Sequence, residues 1–134
     1  MRFMGHNVLA IIVAAIAIYA IEFVIFAMLM SQEQYMALTG VTADQMQSGM
    51  ARMPYGIVPP LLAAIGLSQV IKWRNAPGLM GGVTTALLMA VLFAFAVSLY
   101  SYVYGTHTEA YLLVDLGHFL VAWGAAGAVL GAWK

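Results

Sequence analysis

The chain has 134 residues, is 64% hydrophobic, and carries five basic and five acidic side chains with no net charge. A charged fraction of 7%, against roughly 25% in soluble domains, cannot coat the large surface of a domain this small. An ordinary soluble globule, a disordered chain and a nucleic-acid binder with a basic face are thereby excluded, and the absence of cysteine excludes disulfides, zinc–thiolate sites and iron–sulfur clusters. What remains is an all-α integral membrane protein, read as a single transmembrane domain over residues 1–134.

A helix that crosses a bilayer needs about 20 mostly apolar residues. Four runs qualify as spans: 8–30, 54–73, 79–104 and 110–133. The first contains one charge, Glu22. It is too long for a cleaved signal sequence, despite Arg2 ahead of it and Ala15-Ile16-Ala17 within it. The long connection 31–53 follows. Thr42 with Gln45 fits a capping box, and Met46, Met50 and Met53 recur on one side, so residues 42–53 are expected to form a short amphipathic helix on the outer membrane surface. The second span opens with Pro54 and then Pro59-Pro60. Proline is tolerated in the first helical turn, yet a helix begun only at Pro60 would measure about 21 Å against a ~30 Å hydrocarbon core. A start near Pro54 with a kinked or wide turn around Val58 is expected. Ala76-Pro77-Gly78 opens the third span and Gly105 ends it.

Four spans put both termini on one side, where Arg2, Lys72, Arg74 and Lys134 gather without an acid. Glu33, Asp44, Arg52 and Glu109 fall on the other. The positive-inside rule then places both termini in the cytoplasm. Tyr35, Tyr55, Tyr100, Tyr102, Tyr104 and Tyr111 mark the outer interface, and Trp73 and Trp133 the inner. His6 and His107 are read as solvated interfacial side chains. Both ends of the chain are expected to be held in place by neighbours.

Ionisable residues inside a span are expensive and face a bundle interior or a cavity. Glu22 and His118 each lie eight residues inside the outer end of their span, about 12 Å deep, and Asp115 about 7.5 Å deep. Tyr111, Asp115 and His118 form one stripe of the fourth span, Ser98, Ser101 and Tyr102 one stripe of the third, and Tyr19 lies near Glu22. A polar cluster drawn from three helices follows. It reads either as interhelical glue that fixes register, or as a site for a proton, a polar head group or a quinone-like molecule. No spacing is diagnostic of a metal, and the ten methionines are read as apolar filler rather than copper ligands.

Gly117, Gly124 and Gly131 recur every seven residues on the fourth span, and Gly127 with Gly131 makes a small-x-x-x-small pair. Such a stripe admits a close helix, either a neighbour within the bundle or a helix of another chain.

Two stretches resemble a known family. One is Glu33-Gln34-Tyr35-Met36-Ala37-Leu38-Thr39-Gly40-Val41-Thr42 after the first span. The other is Asp115-Leu116-Gly117-His118-Phe119-Leu120-Val121, followed by Gly127 to Gly131 and Trp133. Over about a third of the chain, these resemble the bacterial four-helix membrane family catalogued as domain of unknown function 1761. Phe26-Ala27-Met28 stands where that family has an aromatic–Ser–Pro stretch, and Asp115 and His118-Phe119 where it has Asn and Tyr-His. The resemblance implies the four-helix fold and supplies no reaction.

No catalytic motif is present. The chain therefore reads as a small non-catalytic membrane protein, an accessory or assembly subunit that meets membrane lipids and either other subunits or its own copies. The alternative is a binding or transport protein for a proton or a small quinone-like molecule at the outer-leaflet cluster. No cofactor is required, although a bound lipid or quinone-like molecule is compatible with the cluster.

Overall fold

The computed structural model describes residues 2–3 and 5–133. The expectations that fall on Met1 and Lys134, including the ordering of both ends and the basic charge at the C-terminus, lie outside the described residues. Among the described residues the regular structure is helical apart from one short hairpin of two-residue strands, β1 (Arg2–Phe3) antiparallel to β2 (His6–Asn7), with Gly5 between them at φ 82°.

Among the described residues, four helical stretches are long and apolar enough to cross a membrane: Val8–Met28, Met53–Trp73, Gly78–Val103 and Glu109–Ala132. This marks the chain as an integral membrane protein built as a helical bundle. The first begins as α1 (Val8–Phe23), capped by the Asn7 side chain accepting from the Ala10 N–H at 3.3 Å. It continues as a wide π-helical turn, Val24–Met28, in which the Leu29 N–H reaches back five residues to the Val24 carbonyl at 2.9 Å.

The connection that follows holds two helices, where only one was expected. These are α2 (Gln32–Thr39) and α3 (Ala43–Met50), and both open with capping boxes. The Thr42–Gln45 box was legible. Ser31 with Gln34 is the same pattern eleven residues earlier, and there the Gln34 N–H donates to Ser31 Oγ at 3.1 Å. Gly40, at φ 71°, ends α2 in the left-handed region, and a Cβ there would lie 2.7 Å from Thr106 Cβ. Three hydrogen bonds pin this corner. Thr106 Oγ1 donates to the Thr39 carbonyl at 2.6 Å, and both the hydroxyl and the N–H of Thr108 donate to the Leu38 carbonyl at 2.9 Å.

The second long helix starts with a 3-10 turn, Met53–Ile57, and becomes α4 (Val58–Trp73). The irregular turn near Val58 is thus tighter than an α-helix, not wider. Pro59 and Pro60 occupy the first turn of α4, where no intrahelical N–H bond is needed. Asn75, with φ 48°, closes α4, its N–H bonding the Lys72 carbonyl at 3.1 Å. The third long helix is α5 (Gly78–Met89), a π-helical segment Ala90–Phe95, and α6 (Ala96–Val103); the fourth is α7 (Glu109–Ala132).

The interior is built from small residues. Ala10, Ala14, Ala15, Ala64, Ala86, Ala90, Ala122 and Ala126 are buried with Ile18 and Leu67, while Leu9, Ile16, Phe23, Leu62, Leu92, Phe93 and Val97 point outward. Lipid is as apolar as leucine, so helix association gains little from hiding large side chains and more from close contact of backbones. α7 is the hub, packing most extensively on α5 and next on α1.

Candidate functional site

Glu22 comes from the end of α1, Asp115 and His118 from adjacent turns of α7, and Ser98 from α6. The Ser98 hydroxyl donates to Asp115 Oδ2, and His118 Nδ1 lies 3.3 Å from Asp115 Oδ1. On the other side of the ring, His118 Nε2 lies 3.4 Å from Glu22 Oε1. That approach lacks hydrogen-bond geometry, so Nε2 is a buried nitrogen without a hydrogen-bond partner. His118 is 5% exposed, whereas the Glu22 side chain keeps 29%. The four side chains thus form a line, hydroxyl–carboxylate–imidazole–carboxylate, from the bundle interior to its partly open edge.

The protonation chemistry follows from this order. With the Nδ1 proton directed at Asp115, Nε2 is an acceptor, and an acceptor pairs with Glu22 only when one proton sits between them. A single proton in the Nε2–Glu22 gap can sit on either partner.

Aromatic rings close the site on its outward side. Phe26 meets His118 edge-on at 5.1 Å between ring centroids, Tyr111 lies 6.1 Å from Phe26 and 6.3 Å from Tyr35, and His107 lies 4.5 Å from Tyr111. Tyr111 is buried, and it belongs to this aromatic wall. His107 is half-buried: it is partly exposed, but its Nδ1 is buried and has no hydrogen-bond partner. The threonine bonds that pin the 105–108 loop on α2 carry it inward. Phe26 and Tyr35 were not among the candidates, although Phe26 stands one turn from Glu22.

Three candidates stand apart from the cluster. Tyr19 is 41% exposed, with its ring beside Gly56, and Tyr102 is 43% exposed. Ser101 accepts the His107 N–H through its carbonyl at 3.3 Å, with its side chain half-buried. His6, at the opposite end, is hydrogen-bonded to Ser68 and Gln69.

The glycine stripe divides. A Cβ on Gly127 would lie 2.5 Å from both Ala86 Cβ and the Gly82 carbonyl oxygen, and one on Gly131 would lie 2.8 Å from Gly82 Cα, so both glycines serve contact with α5 of the same chain. Gly124 faces Leu87 at ordinary contact distance, 3.4 Å, while above Gly117 there is open space. Among the described residues no three His, Asp or Glu side chains are grouped to hold a metal ion.

No curated protein and no solved structure matches the chain. The family model described as protein of unknown function (DUF1761) matches residues 9–131. That range reaches well beyond the two stretches that carry the resemblance in the sequence, and it takes in Glu22, Ser98, Asp115 and His118 together. The chain therefore belongs to the DUF1761 family of proteins of unknown function.

Proposed function

We propose that this is a small, non-catalytic protein of the bacterial inner membrane. It crosses four times with both termini in the cytoplasm, and it exchanges a proton at the Glu22–His118–Asp115–Ser98 line. The orientation is supported by Lys72 and Arg74 at the end where α1 starts, with Asp44, Glu33 and Glu109 at the other. The observation that carries the function is that the buried His118 Nε2 stands 3.4 Å from Glu22 Oε1 without a hydrogen bond. A cluster that served only to hold helices together would satisfy its buried donors and acceptors, and this one leaves open the atom that moves a proton. The step is a transfer between Nε2 and the Glu22 carboxylate, with no net change of charge in the pair and no redox partner.

Proteoliposomes loaded with a pH-sensitive dye test it. Wild-type protein is expected to carry protons down an imposed gradient, and Glu22→Gln to abolish the flux. A Glu22→Gln protein as active as wild type would leave the cluster as structural glue, because an amide still bonds but does not carry the proton.

A second reading is an accessory or assembly subunit. It is favoured by one observation: the α7 face of Leu113, Gly117 and Val121 has two exposed apolar side chains flanking a glycine with open space above it. Gly117→Leu should then release co-purifying membrane subunits or self-association in mild detergent. Gly124 is the poorer probe, since a leucine there would strike Leu87 of the same chain.

A further inference from the structure

We propose that His107 is the port through which protons pass between water and the Glu22–His118 pair, with Tyr111 as the next carrier; the inference rests on the proton exchange proposed above. Among the described residues, two buried side-chain nitrogen or oxygen atoms lack a hydrogen-bond partner. Both are imidazole nitrogens on the same aromatic wall, His118 Nε2 and His107 Nδ1. The first belongs to the line of side chains already described. Nothing in that line uses the second.

The need for a port follows from where Glu22 opens. Its neighbours Phe23 and Val24 are exposed apolar side chains of a membrane-crossing helix, so the open edge of the line meets hydrocarbon. The bilayer core holds no water to supply a proton. A proton therefore has to arrive along the protein, from the loop end of α7.

His107 stands at that end. It directly precedes Thr108, the N-cap of α7, and is partly exposed. Its backbone N–H donates to the Ser101 carbonyl at 3.3 Å. The hydroxyls on either side, of Thr106 and Thr108, are committed to the Thr39 and Leu38 carbonyls. The loop thus fixes the backbone of His107 and leaves its buried Nδ1 unpaired. Buried polar groups are as a rule hydrogen-bonded, and an exception calls for a use.

Spacing supplies the route. The His107 ring meets Tyr111 at 4.5 Å between centroids, with Tyr35 of α2 a further 6.3 Å away across the wall. His107, Tyr111 and Asp115 follow one another at intervals of four residues, and Asp115 adjoins His118. Four residues of helix rise about 6 Å, the span of two hydrogen bonds through one water. An imidazole takes a proton on one nitrogen and gives one up from the other, and a tyrosine hydroxyl accepts on its oxygen and releases its own proton. Each carrier ends as it began, and one proton passes on to Asp115 and His118.

The test uses the full chain in proteoliposomes loaded with a pH-sensitive dye, with Glu22→Gln as the reference. His107→Phe keeps a ring against Tyr111 and removes both nitrogens, and Tyr111→Phe removes only the hydroxyl. Each should lower the proton flux ~100-fold, the low end of what a positioned proton-transfer group supplies. His107→Ala should lose the flux as well, and free imidazole in the buffer should restore it. Imidazole should restore neither His107→Phe, where the ring fills the space, nor Glu22→Gln, where the port is intact. Wild-type flux in His107→Phe or Tyr111→Phe overturns the route and leaves the Glu22 step standing. A loss in His107→Ala that imidazole does not repair reduces His107 to a structural part and also overturns the port. No flux in wild-type protein overturns the Glu22 step and the port together. Should His107→Ala not fold, His107→Phe decides: it must lose the flux while keeping the wild-type thermal midpoint.

Discussion

Gly82 and Gly127 meet across α5 and α7 so closely that neither position has room for a side chain: the Gly127 carbonyl stands where a Cβ on Gly82 would be. Gly127→Ala is expected to cost about 1–3 kcal/mol, the usual penalty of overpacking, and to lower the thermal midpoint measured in detergent. Gly117→Ala, with nothing nearby, should leave the midpoint unchanged. Equal midpoints for the two variants would contradict the close approach.

Ser98→Ala removes the donor to Asp115 Oδ2 inside the bundle. An interhelical hydrogen bond in a membrane protein averages about 0.6 kcal/mol, but the acceptor left behind here is a buried carboxylate. The loss is expected to be about 1–3 kcal/mol. Asp115→Asn, which keeps an acceptor for the serine, should cost less. Unfolding of both variants in a mixed-micelle denaturant series orders them.

The bonds from Thr106 and Thr108 to Thr39 and Leu38 hold α2 over the aromatic wall. Replacing both threonines with valine should free α2. Hydrogen–deuterium exchange should then accelerate over residues 32–39 and at Tyr35, with little change in α4 or α5. Uniform acceleration along the chain would mean that the corner supports the whole bundle rather than this one flap.

Gln47→Cys and Asn75→Cys report orientation. In intact cells a membrane-impermeant maleimide should label position 47 and spare position 75. The reverse pattern contradicts the proposed crossing.

The four long helices were legible because apolar length is a local property of the sequence: Val8 to Met28 carries one charge, and Asn7, Thr42 and Thr108 cap their helices with local side chains. Depth arithmetic put Glu22 and His118 at one level with Asp115 one turn nearer the surface, and in the structure the His118 ring lies 3.4 Å from Glu22 and 3.3 Å from Asp115. Sequence reasoning lost resolution where a tertiary contact decides. The half-burial of His107 was not legible because the bonds that hold its loop, from Thr106 and Thr108 to Thr39 and Leu38, join segments about 70 residues apart in sequence. The glycines of α7 looked alike because periodicity does not say which of them meets Gly82. Tyr19 shares a helical turn with Glu22 but is drawn to Gly56 on the neighbouring 3-10 turn.

The wide turn at Ala90–Phe95 fixes the length of the third long helix as firmly as its composition. Residues beyond it are set back in angle relative to a regular helix, and Ser98 is the first polar side chain after it. Deleting one residue between 90 and 95 would leave the hydropathy of the helix almost intact while swinging Ser98 by about 100°, away from Asp115. Chains of this family that keep the serine–aspartate contact should therefore keep the residue count between Gly82, where α5 locks on α7, and Ser98. Insertions and deletions should be tolerated in the 43–52 stretch instead, where nothing counts the steps.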